Sequence, residues 1–231
     1  MKKKIKQIVI LNGGEGKRVR KISKNKPKCL IKFNGSSFLK LQINFLIKKG
    51  FKKFLILTKK KNNLIKRELR SMYTQNIELS IYSEKTKLGT GGAIKNAISK
   101  LDNNFAVIYG DSWLDFNVKK TNYEYLKSKK NYLITAISKK VVKHKPNLLI
   151  KKNKIIQYSK KNYLENNFIE YGYQIFSKRI FKEIDKKIFD LNLVVDRLID
   201  KNDVKIFFVK NRFYEIGSLN GIKEFKRYIE T

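Results

Sequence analysis

Ile5-Lys6-Gln7-Ile8-Val9-Ile10-Leu11-Asn12-Gly13-Gly14-Glu15-Gly16 is the stretch on which the reading of the fold turns. An apolar run that breaks into three closely spaced glycines suits neither a helix interior nor a strand interior, so it reads as a buried strand followed by a glycine loop. The basic start Met1-Lys2-Lys3-Lys4 leads into only about seven apolar-rich residues, which predicts a first strand and not a signal peptide. Working outward, Ser37 precedes a helical period of Phe38, Leu41, Phe45 and Leu46, closed by Gly50. Phe54 to Thr58 is then a strand, Leu64 to Met72 a helix, Ile77 to Ser83 a strand, Ala93 to Leu101 a helix, and Phe105 to Tyr109 a strand ending at Gly110-Asp111. Strand and helix alternate, with connections long enough for right-handed crossovers.

Past Asp111 the spacing predicts strands over 132–138, 168–176 and 204–209, a hairpin of 147–150 with 154–158 around Lys151-Lys152-Asn153, and helices over 191–199 and 222–229. Two prolines and no Pro/Gly/Ser-rich linker leave no boundary that would split the chain. The expectation is one α/β domain over residues 1–231, a Rossmann-like three-layer sandwich with a mixed, mainly parallel sheet.

Composition narrows the chemistry. No run approaches the roughly 18 apolar residues of a membrane span. One cysteine, Cys29, excludes an internal disulfide framework and a cysteine-cluster zinc site, and fits a reducing, cytoplasmic setting. With His144 the single histidine, a Ser-His-Asp triad would have to use it; both residues read as structural. The net charge of +35 suggests an anionic partner, yet 46 of the 54 basic residues are lysine, whereas specific base or phosphate readout favours arginine. Lysine, asparagine and isoleucine, the residues of A/T-rich codons, make up 97 of 231 positions, so the charge reads first as compositional drift on a solvated surface. It would still steer anionic substrates toward a cleft.

In open α/β sheets ligands sit beyond the carboxyl ends of the strands, and three such ends stand out. After the first strand, Gly13, Gly14 and Gly16 would let backbone N–H groups approach a phosphate, with Arg18 and Lys28 as mobile cations. The loop is neither a Walker loop nor a dinucleotide fingerprint. Leu88-Gly89-Thr90-Gly91-Gly92-Ala93 opens a helix with donors that could approach a flat nucleobase, or is simply a tight helix entry. Tyr109-Gly110-Asp111 holds an acid at a strand terminus, with Glu215 as its natural partner; two carboxylates and phosphate oxygens would complete a magnesium site.

Together and in this order, these motifs resemble the sugar-1-phosphate nucleotidylyltransferase family from Ile8 to about Tyr228. The resemblance implies that Leu11, Gly13, Gly14, Gly16, Gly89 and Thr90 hold a nucleoside triphosphate and that Asp111 and Glu215 bind Mg2+. It implies further that Tyr109, Glu170 and Gly172 meet the sugar, and that Lys160 meets its phosphate, with Lys161 as an alternative. Lys17 stands at the family's usual threonine, Glu215 at its aspartate, and Ser159 at a common glutamate. Glu84, five residues before Gly89, falls where the family reads the base edge, and the Leu-Gly-Thr-Gly-Gly-Ala run is similar to that of heptose 1-phosphate guanylyltransferases; both favour GTP. A uridylyl- or cytidylyltransferase of the same fold is the near alternative. With no β-helix after residue 231, the bifunctional amino-sugar enzymes are not expected.

The implied reaction is direct attack of a sugar 1-phosphate oxygen on the α-phosphorus of the triphosphate, expelling pyrophosphate, and it would supply nucleotide sugars for surface glycans. Catalysis would be alignment and charge neutralisation, with Arg18 on the leaving pyrophosphate, Lys28 near the α-phosphate and Lys160 on the sugar phosphate. The competing class is a basic, non-catalytic nucleotide- or nucleic-acid-binding domain, in which Asp111 and Glu215 would have no role. The sugar and the oligomeric state stay open.

Overall fold

The computed structural model describes residues 4–14, 16–59, 63–72, 76–159 and 165–230. In chain order the strands are β1 (Gln7–Asn12), β2 (Lys32–Phe33), β3 (Ser36–Ser37), β4 (Lys53–Thr58), β5 (Glu78–Ser83), β6 (Asn104–Tyr109), β7 (Ser112–Leu114), β8 (Tyr132–Ser138), β9 (Leu148–Lys151), β10 (Lys154–Tyr158), β11 (Phe168–Ser177), β12 (Val204–Val209) and β13 (Phe213–Glu215). The α-helices are α1 (Arg20–Ser23), α2 (Phe38–Lys48), α3 (Asn63–Leu69), α4 (Gly89–Asn96), α5 (Val118–Ser128), α6 (Arg179–Lys182), α7 (Asn192–Asp200) and α8 (Leu219–Glu230). Strand pairing is mixed, parallel through β1, β4 and β5 and both parallel and antiparallel among β8 to β12, the α/β class expected from the alternation of strand and helix. Two compact units divide the chain. The first comprises Lys6–Lys87, Ile108–Trp113 and Tyr214–Thr231; the second comprises Met1–Ile5, Leu88–Val107 and Leu114–Phe213.

In the first unit β1 pairs in parallel with β4, from Gln7 opposite Lys53 to Asn12 opposite Thr58, and β4 pairs with β5 from Lys53 opposite Glu78 to Thr58 opposite Ser83. The strands therefore end level. Their central residues are continuous apolar runs because both faces are covered: Ile8, Val9, Ile10, Phe54, Leu55 and Ile56 are buried. Ser37 caps α2 by accepting from Lys40 N at 3.3 Å. A second cluster of Val19, Ile31, Phe33, Phe38, Ile216, Ile222 and Phe225 joins the segment after the glycine loop to the start of α8. Phe225 meets Phe33 edge-on at 4.9 Å and Phe38 at 5.1 Å, so the cluster fixes Arg18 and Glu215 on one scaffold.

The second unit is mainly antiparallel. β11 pairs with β8, β9 with the hairpin partner β10, and β12 lies parallel to β8. The register of β11 against β8 shifts between Glu170 and Gln174, and Gly172 there has φ 103°, a left-handed conformation that favours glycine. The helix expected over 93–101 is instead α4 followed by a 3-10 turn at Ile98–Lys100, so Gly91 and Gly92 lie within the helix.

Candidate active site

Level strand ends in the first unit deliver Gly13, Lys59 and Glu84 to one rim, where Gly110 N also donates to Leu11 O at 3.0 Å. Gly110 lies against the end of the Asn12 side chain. A Cβ on it would stand 2.0 Å from Asn12 Oδ1. Beside it, Gln42 Nε2 donates to Tyr109 O at 3.1 Å and to Ser112 O at 2.6 Å, clamping the corner that carries Asp111. The carbonyls of Leu11 and Tyr109 are thus both engaged by the fold.

Charge converges at this corner. Lys28 Nζ donates to Asp111 Oδ2, and the Lys28 side chain lies across the glycine loop: a Cβ on Gly14 would be 3.4 Å from Nζ, and one on Gly16 would be 3.4 Å from Lys28 Cβ. The loop glycines therefore seat a lysine as well as baring backbone. Around Gly217, a single point at its would-be Cβ lies 2.9 Å from Glu215 Oε2, 3.1 Å from Asp111 Oδ2 and 3.6 Å from an Arg18 guanidinium nitrogen. Ile216 N donates to Asp111 O at 2.9 Å, which brings the two acidic segments together. Glu215 turns back toward α8: its Oε2 accepts from Gly217 N and its Oε1 from the Ser218 hydroxyl, while Ser218 Oγ accepts from Gly221 N at 3.0 Å. The extra methylene of glutamate is taken up in reaching this helix start, where the dipole favours a carboxylate.

Two converging carboxylates beside a cation suit a hard divalent ion that takes its other ligands from phosphate and water. Among the described residues there is no group of three or more His, Cys, Asp or Glu placed to hold a metal by themselves. Glu84 is buried, and its Oε1 lies 3.9 Å from the would-be Cβ of Gly13. Cys29, next to Lys28, is also buried, and burial pushes its thiol up to about 12.

The remaining expected positions belong to the second unit. The glycine turn at α4 docks on residues 187–191: Gly91 N and Gly92 N donate to Phe189 O at 3.1 and 3.0 Å, Leu191 N donates to Thr90 Oγ1 at 2.8 Å, and Thr90 N to Asp190 Oδ1 at 3.3 Å. A Cβ on Gly89 or Gly92 would meet a backbone oxygen at 2.4 Å, and one on Gly91 the Phe189 ring at 2.3 Å. Tight packing is the physical reason for these glycines. Glu170 accepts from Tyr158 OH at 2.6 Å and from Gln174 Nε2, so its carboxylate is held by two neighbours. Lys160 lies outside the described residues. Of the positions not anticipated, Gln42 carried a readable signal, a polar residue on the apolar side of α2; Asn12 and Asp190 had none, because their partners are remote in sequence.

The nucleotidyl transferase family model matches residues 7–230. The chain belongs to that family. The family resemblance carried by the ordered motifs is thereby borne out. The D-glycero-alpha-D-manno-heptose 1-phosphate guanylyltransferase of Campylobacter jejuni is 33% identical over 114 residues, covering 49% of this chain and 51% of that protein, so the match spans about half the relative's length. The protein of the same name from Aneurinibacillus thermoaerophilus is 27% identical over 177 residues, 76% of each chain. HddC from Yersinia pseudotuberculosis, solved also as a complex with GMP-PN, superposes with a TM-score of 0.81 at 25% identity over 97% of this chain and 100% of its own. No helix among the described residues is long and apolar enough to cross a membrane.

Proposed function

We propose that this nucleotidyl transferase moves a nucleoside monophosphate from a triphosphate, GTP by preference, to a sugar 1-phosphate, with release of pyrophosphate. The reading rests on one observation: Arg18, Asp111 and Glu215 converge on a single point at Gly217, with Lys28 paired to Asp111. A sugar phosphate oxygen forms a bond to the α-phosphorus as the bond to the pyrophosphate oxygen breaks, so the chain needs no nucleophile of its own. Arg18 and Lys28 neutralise charge on the triphosphate, the glycine loop lets it approach, and Glu84 accepts from the base edge. Lys160 is assigned to the incoming sugar phosphate, and Glu170, Tyr109 and Gly172 to the sugar. Asp111 and Glu215 are the residues that would hold Mg2+, which when bound supplies further neutralisation of phosphate charge.

Guanylyl specificity is supported by the names of the heptose 1-phosphate relatives and by the acid at Glu84. The test is pyrophosphate release from purified protein with GTP, UTP, CTP and dTTP against a panel of sugar 1-phosphates. Turnover with GTP and at least one sugar 1-phosphate is expected. Absence of release with every pair, alongside tight nucleic-acid binding that survives high salt, would replace the enzyme with the binding-domain alternative.

A further inference from the structure

We propose that the first unit carries a second anion site, separate from the Asp111–Glu215 corner, which takes a small ligand bearing two or more phosphate-type charges. An open cleft of about 540 Å3 is lined by Lys26, Lys32, Lys40, Arg67 and Arg70, with Glu68 its single acid; Lys40 is half-buried and the other four cations are exposed. That volume lies in the range of small-molecule sites. Lys40 and Glu68 pair at 3.6 Å, and no carboxylate among the described residues pairs with the other four cations. Three separate segments supply them: the stretch around the 3-10 turn Lys28–Leu30, with Lys26 before it and Lys32 opening β2 after it; helix α2; and α3 with the turn Arg70–Met72 that follows it.

Lysine is everywhere in this chain, so lysines in a cleft would mean little by themselves. Arginine is different. Only eight occur, and two of them, three residues apart, face this one concavity. Like charges at that spacing repel, and a concave wall focuses their field; a polyanion relieves both, and the guanidinium fork matches phosphate oxygens. The site is distinct from the corner because the turn Lys28–Leu30 has two faces: Lys28 reaches Asp111, whereas Leu30 lines the cleft, with buried Cys29 between them.

Inorganic pyrophosphate is the probe, titrated calorimetrically without added metal into protein carrying Arg18→Ala and Lys28→Ala, so that the corner does not contribute. One saturable site is expected to remain. Arg67→Gln with Arg70→Gln should weaken it at least tenfold, whereas Lys151→Gln with Lys152→Gln, an exposed pair at the end of β9 and in the turn that follows, should leave it unchanged. Should the corner variants misfold, the unmodified protein serves instead, and the Arg67/Arg70 variant should lower its stoichiometry from two to one. Equal weakening by both charge pairs, or no effect of the arginine pair, would overturn the site. Since no turnover is read, this result is independent of the transferase assignment.

Discussion

Lys28 Nζ donates to Asp111 Oδ2, joining the 3-10 turn before β2 to the corner after β6 by an ion pair whose side chains are 18% and 23% exposed. A partly exposed pair of this kind adds at most about 1 kcal/mol to stability, so its residues can be exchanged without unfolding the chain. Its worth lies in charge placement. Lys28→Ala should lower kcat by about two to three orders of magnitude, as loss of a charge-stabilising group typically does. Thermal unfolding and pyrophosphate release, measured on the same preparation, check this. An unchanged kcat with a raised KM would show uniform binding, and Lys28 would lose its place in the transition state.

Gly217→Ala tests the corner without removing a charge. The added methyl would sit 2.9 Å from Glu215 Oε2 and 3.1 Å from Asp111 Oδ2, both ends of side chains that can move aside. Activity should fall by at least about tenfold, because small displacements of aligned groups are costly in transfer reactions. The melting temperature should stay close to that of the unmodified protein. Retained activity would mean that the two carboxylates need not converge.

In the second unit the same substitution has a different consequence. Gly91→Ala places a methyl against the Phe189 ring, and Gly92→Ala places one 2.4 Å from Lys187 O, a backbone atom. Each should destabilise the fold by about 1–3 kcal/mol, the usual cost of overpacking. Chemical denaturation measures it. An unchanged midpoint would show that residues 187–191 do not pack on the turn in solution.

How far the sequence foretold these sites follows from the range of the interactions. Gly13, Gly14 and Asp111 were legible because strand ends and glycine breaks are local signals, and β12 falls where its apolar run predicted. Arg18 and Lys28 read as cations beside that glycine loop and Glu215 as the partner of Asp111, and the structure brings all three to one corner. What local pattern could not show is the reason for each glycine: Gly14 and Gly16 seat Lys28, and Gly91 and Gly92 admit Phe189 and Lys187, contacts made across 12 to nearly 100 positions. The Leu88–Ala93 run does open a helix, but α4 takes in its glycines and ends at Asn96 where the pattern predicts 93–101, since helix propensity argues against glycines that tertiary packing demands.

Cys29 offers a pH test. Its thiol is buried and pushed by that burial up to about 12, from 9.0 when solvated. An acid whose folded pKa is raised favours the folded state while neutral and opposes it once the unfolded chain ionises, so this contribution is lost as pH climbs from about 9 toward 12. Thiolate is the reactive form. Iodoacetamide at pH 8.5 should therefore leave the native protein almost unlabelled and modify it rapidly in denaturant, as read by mass spectrometry. Fast native labelling would contradict the burial.

Base choice is the sharpest test of the proposed specificity. Guanine presents N1–H and N2–H2 side by side, and one carboxylate can accept from both; uracil and thymine present a single N–H between carbonyls that a carboxylate repels. Glu84 is buried at the rim and close to Gly13, the position from which such an edge could be read. Glu84→Gln keeps the size but replaces one acceptor oxygen by a donor, which then faces a guanine donor with no partner. Discrimination that depends on a paired donor and acceptor set degrades sharply when one member is lost. The ratio of kcat/KM for GTP to that for UTP, CTP and dTTP should fall by at least about tenfold in Glu84→Gln, with total turnover falling less. A preference for UTP, CTP or dTTP in the unmodified enzyme would remove Glu84 as a guanine reader, while pyrophosphate release would still stand as the mark of a nucleotidyl transferase.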